Sequence, residues 1–159
     1  EISCSLVGSE MCIRDRKIKK DKRMNIDKMK DQHVEILEKI SFLRTLSHAG
    51  VSSNAQEIAT AIVSMSAIIK THLFAEDQFL YPHIEQDGNS TLRQVSSKFQ
   101  REMTDIVSEY EVFSRRWNIA SKLKGNDEAF RRDANNVLRK VYERMQKENK
   151  DFYPLVERM

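Results

Sequence analysis

Four polar residues occupy positions where the surrounding pattern calls for apolar ones: His33, His72, Glu76 and Glu148. His72 and Glu76 are four residues apart, so on a helix they lie one above the other on a single face. An unpaired ionised group in a protein core costs on the order of several kcal/mol, so residues placed this way need partners. Two imidazoles and two carboxylates can partner one another or a cation. They form a sensible shell for iron, with manganese or zinc as alternatives. Two neutral imidazoles and two carboxylates also balance one divalent charge. Covalent catalysis is not expected, because no serine is placed by a visible histidine–acid relay and the only cysteines are Cys4 and Cys12.

Helices must position these residues. Gly50, Gly88, Gly125, Pro82 and Pro154 divide the chain into four long segments, each with apolar residues at helical spacing. The first segment, near residues 26–46, puts Met29, His33, Ile36, Ile40 and Leu43 on one stripe. The second opens with a capping-box pattern at Ser53–Gln56, carries Ile58, Ile62, Met65, Ile69, His72, Glu76 and Phe79 inward, and stops before Pro82. The third, capped by Asn89 or Ser90, buries Leu92, Val95, Phe99, Met103, Ile106, Tyr110, Phe113 and Trp117. The fourth, capped by Asp127, buries Phe130, Ala134, Leu138, Val141, Met145, Glu148, Phe152 and Leu155. Short connections and a spacing near 3.5 residues predict an all-α, antiparallel up-down-up-down four-helix bundle.

An internal repeat ties two of the segments together. "HLFAEDQFLYPHIE" (72–85) aligns without gaps to "RMQKENKDFYPLVE" (144–157), pairing Glu76 with Glu148, Tyr81 with Tyr153 and Pro82 with Pro154. With His33 on the first helix, "HLFAE" and the two Tyr-Pro endings, residues 24–157 resemble the hemerythrin-like, or HHE cation-binding, domain. The resemblance implies a helical bundle of bacterial type around a non-haem iron centre of one or two ions. It implies binding of dioxygen or another small diatomic ligand, or redox or iron sensing or storage, without enzymatic activity. By residue match, His33 and His72 would be terminal ligands, and Glu76 and Glu148 bridging carboxylates.

This chain departs from the family at two points. A histidine is expected on the third helix, where the sequence reads "SSKFQREM"; Gln100 sits nearest and offers at most a neutral oxygen. Another is expected four residues before Glu148, where Arg144 stands. His48 and His83 are not placed to replace them. Two readings of the pocket follow. In one, His33, His72, Glu76 and Glu148 bind metal, with Gln100 or water completing the shell. In the other, the Arg144 guanidinium takes the metal's place on a glutamate, and the chain is a metal-free structural or protein-interaction module. Arg144 could equally extend to solvent. A histidine phosphotransfer bundle is disfavoured, since His33 and His72 both fall on buried stripes.

The N-terminal stretch "SLVGSEMCIRDR" (5–16) has no helical or strand period. Back-translated, it resembles a sequencing-library adapter, and residues 1–23 are expected to be a non-native leader ahead of a domain spanning 24–159. A disordered tail, or a basic tail for nucleic acid, is the competing reading. Its longest apolar run, Leu6-Val7, is far short of the roughly 7–15 residues of a signal-peptide core. Seven of the 27 Lys/Arg and four of the 24 Asp/Glu lie in residues 1–23, leaving twenty of each. The basic character of the whole chain thus resides in that stretch, and no basic patch points to nucleic acid. No continuous apolar run suggests a membrane span. A cytoplasmic domain is expected.

Overall fold

In the computed structural model the described residues run from Cys4 to Met159, with side chains from Ile26 onward, so the leader expected over residues 1–23 lies outside the described side chains. Every regular element among them is helical. Helix α1 (Cys4–Ala49) ends where Gly50 adopts a φ of +124°, a left-handed conformation that a Cβ disfavours. Helix α2 (Ala55–Ala75) passes through a π-turn (Glu76–Leu80) into α3 (Tyr81–Asp87). Helix α4 (Ser90–Trp117) and the short α5 (Ala120–Leu123) follow. Helix α6 (Asp127–Lys147) then runs through a second π-turn (Glu148–Phe152) into α7 (Tyr153–Val156).

The second segment therefore does not stop before Pro82. Proline lacks an N–H and its ring clashes with the carbonyl four residues back, which normally breaks a helix. Here the chain takes one extra residue just upstream. The Tyr81 N–H bonds to the Glu76 carbonyl and the Tyr153 N–H to the Glu148 carbonyl, each five residues back. The proline then falls in the first turn of a fresh helix, where a missing N–H is harmless.

That extra residue also rotates the inward stripe. Phe79, expected inside, is 54% exposed, and Leu80 and Tyr81 are buried in its place. Leu155 is likewise displaced outward, while Phe152, Tyr153 and Val156 are buried.

The caps differ as well. Asn89 caps α4 by accepting from the Leu92 N–H at 2.9 Å. The expected capping box at Ser53 does not form: its hydroxyl donates back to the Gly50 carbonyl, and Gln56 bonds Thr60. Asp127 does not cap α6; from the helix's first position it accepts from the Val51 and Ser52 N–H groups and the Ser52 hydroxyl, clamping the α1–α2 loop.

Helices α1, α2, α4 and α6 pack in a closed ring, α1 on α2, α2 on α4, α4 on α6 and α6 on α1. By length and mean hydropathy alone, Ala55–Asp87 would suffice to cross a membrane. Ile58, Ile62, Met65 and Ile69 of that stretch are committed to the packed interior. The interior comprises two apolar clusters. One runs from Trp117, Phe130 and Leu43 to Ile36, Ile69, Met103 and Met145. The other gathers Met29, Leu80, Ile84, Phe99, Phe152 and Val156. Between Met29 and Ile36 lies His33; between Ile69 and Leu80 lie His72 and Glu76; between Met145 and Phe152 lies Glu148. One polar layer separates the two clusters.

Candidate metal centre

The donors enter this layer from three sides of the ring, and α4 supplies none of them. His33 comes from α1, His72 from the last turn of α2, and Glu76 and Glu148 each open a π-turn; all four are completely buried. His33 Nε2 lies 3.2 Å from His72 Nε2 and 3.1 Å from Glu148 Oε2. His72 Nε2 is 3.9 Å from Glu148 Oε2 and 3.7 Å from Glu76 Oε1. The donor atoms of His33, His72 and Glu148 all fall within 4.8 Å of one another. Two ligands of one first-row ion, each about 2.1 Å from it, stand roughly 3.0–3.4 Å apart.

The outer faces of both imidazoles are held by side-chain amides. His33 Nδ1–H donates to Asn149 Oδ1 at 2.8 Å, and His72 Nδ1–H to Gln32 Oε1 at 3.2 Å. With these partners accepting, each ring in its neutral form carries its proton at Nδ1 and turns its Nε2 lone pair inward, the arrangement that metal-binding imidazoles need. Two lone pairs facing each other at 3.2 Å require a shared proton or a cation between them. Gln32 and Asn149 were missed in the sequence, although a signal existed. Gln32 falls three residues after Met29 and four before Ile36, and Asn149 four after Met145 and three before Phe152. Each therefore sits on an inward stripe beside a donor it does not itself serve.

Arg144 neither reaches solvent nor closes the pocket. Its Nε bonds Glu148 Oε1, its Nη2 donates to the Phe99 carbonyl at 2.7 Å, and its guanidinium lies 4.4 Å from the centre of the Phe99 ring. The ion pair thus uses the outer oxygen of Glu148. The inner oxygen, Oε2, is buried without a hydrogen-bond partner, although His33 Nε2 lies 3.1 Å away. Burial alone would raise the Glu148 pKa, but the two histidines and the Arg144 charge override it and bring the carboxyl down to about 2.

Glu76 behaves in the opposite way. Burial, reinforced by the charge on Glu148, holds its pKa well above the usual carboxylate range, although it accepts from Tyr153 at 3.1 Å and Tyr81 at 3.4 Å. Burial lowers the His72 pKa and keeps the ring neutral at pH 7. Both tyrosines of the repeat reach the layer with their hydroxyls.

Gln100 is exposed and makes no contact with the histidines; it lines a cavity of about 290 Å³ that reaches Glu76 and Tyr81 between α2 and α4. His83 pairs with Asp87 at 2.9 Å, and His48 is exposed.

Imidazole lone pairs converging on an orphaned carboxylate oxygen suit a divalent or trivalent cation, and the donor set fits the metal. Fold and site together are those of an all-helical domain with a candidate cation site. The hemerythrin HHE cation binding domain family matches residues 24–156, and the chain belongs to that family. No curated protein and no solved structure matches it.

Proposed function

We propose that the protein binds non-haem iron through His33, His72 and Glu148, with Glu76 alongside, in an antiparallel up-down-up-down four-helix bundle. One observation carries this reading: Glu148 Oε2 is a buried, unpartnered anionic oxygen beside two inward Nε2 atoms. In the metal's absence such an atom costs about 1–3 kcal/mol or more, a cost coordination removes. Loaded with iron, the centre would supply a redox-active ion to a small ligand. The cavity that Glu76 lines would admit dioxygen or another diatomic molecule to that side of the layer. The chain's own residues orient the imidazoles, hold Glu148 from outside and shield the layer between two apolar clusters. That role is one of binding, sensing or storage rather than catalysis.

The Arg144–Glu148 pair favours a second reading, in which the layer is a metal-free structural device. Metal content decides between the two. Protein purified without a histidine tag should hold about one or two irons per chain, while His72→Ala/Glu76→Ala should hold none and stay helical. Equal metal content in both proteins would sink the assignment.

A further inference from the structure

Tyr153 brings one more oxygen into the donor ring. It is completely buried, and its hydroxyl lies 3.2 Å from His33 Nε2 and 3.1 Å from Glu76 Oε1. Its ring stacks on His33, with centroids 5.2 Å apart and planes 17° from parallel, so the two donor atoms project side by side. The π-turn makes this happen. Five residues separate Glu148 from Tyr153, and a turn closed by a five-residue hydrogen bond brings both to the inward face. An α-helical turn would have presented Phe152 there instead.

We propose that the Tyr153 phenolate oxygen is a direct ligand of ferric iron at this centre, which makes it an iron–tyrosinate site. The proposal rests on the metal-binding reading above. The layer holds only two imidazoles, and half of the Glu148 carboxylate is engaged by Arg144, so it is short of anionic donors. A phenolate oxygen is a hard anionic donor of the kind that favours the trivalent ion. The hydroxyl hydrogen points at Glu76 Oε1, 3.1 Å away, and is lost to solvent when the ferric ion takes its place on the oxygen. Tyr81, the repeat partner of Tyr153, differs: its hydroxyl reaches Glu76 Oε2 at 3.4 Å and contacts neither histidine. It is the internal control.

The protein is loaded with ferrous iron without oxygen, oxidised with ferricyanide, and examined by elemental analysis, visible absorption and resonance Raman spectroscopy. Wild type should show a phenolate-to-iron charge-transfer band with enhanced tyrosine ring vibrations. Tyr153→Phe should keep iron but lose both signals, with ferric affinity falling about tenfold or more, and Tyr81→Phe should keep both. Iron-loaded wild type without tyrosinate vibrations overturns the proposal whether or not the variant folds, as does a band that survives in Tyr153→Phe; metal binding would still stand. Wild type that takes up no iron would remove the metal-binding reading and this proposal together.

Discussion

The most exacting test of the interior is the pair that holds it in the absence of metal. Arg144 and Glu148 have side chains 2% and 0% exposed, so neither can recover its solvation if the other is removed, and Arg144 would keep only the more distant Glu102 as an ion-pair partner, 3.5 Å from its Nη1. Breaking a buried pair from one side costs about 3–5 kcal/mol, because the remaining charge stays desolvated. In Glu148→Gln the amide oxygen can still accept from Arg144 Nε, and the amide N–H can donate to a histidine lone pair. Those two bonds return about 1 kcal/mol, leaving an expected loss of about 2–4 kcal/mol.

Arg144→Met removes the cation and leaves Glu148 with the histidines alone. The double variant, with no charge to strand, should recover most of the stability of either single one. Urea denaturation in excess chelator at pH 7 reads the cycle. With a slope of about 1–3 kcal/mol per molar, the Glu148→Gln midpoint should fall by about 1–2 M. A coupling energy below about 0.5 kcal/mol would mean that the guanidinium and carboxylate do not depend on each other, and the account of a dry ion pair would fail.

Two further outcomes follow from the same layer. The raised pKa of Glu76 means that the metal-free fold loses stability as pH climbs above the usual carboxylate value. The depressed pKa of Glu148 means that stability is lost as pH falls from about 4.5 through about 2. Glu76→Gln should therefore stabilise chelated protein at pH 7 and much less at pH 5; equal denaturation midpoint shifts at both would contradict the assignment. Replacing either amide, Gln32→Leu or Asn149→Leu, should weaken metal affinity about 10- to 100-fold while the helical circular dichroism is retained. Unchanged affinity in a competition titration would show that the Nδ1 contacts do not orient the rings.

Much of this was legible because the departures from apolar periodicity were few. His33, His72, Glu76 and Glu148 each interrupt an otherwise hydrophobic stripe, and burial then forces them together wherever the stripes meet. The glycines marked the turns for the same local reason. What could not be read was backbone hydrogen bonding. Nothing in "EDQFLYP" announces an i→i−5 bond except the proline that follows it, so the stripe was carried through at α-helical spacing and Phe79 was turned inward. Arg144 shows a different limit. Sequence placed it beside Glu148 but could not tell which carboxylate oxygen it would take, and that choice separates a filled pocket from an open one.

Both rods hold the same extra residue after the glutamate, so they stay in step with each other while each is out of step with an ideal helix. Losing one residue from a single turn would rotate everything beyond it by about 100° and retract it by about 1.5 Å. Tyr81 or Tyr153 would swing off Glu76, and a proline would return to the middle of an α-helix. Chain length at each of these two places is therefore fixed, and descendants of this sequence should show no insertion or deletion after either glutamate.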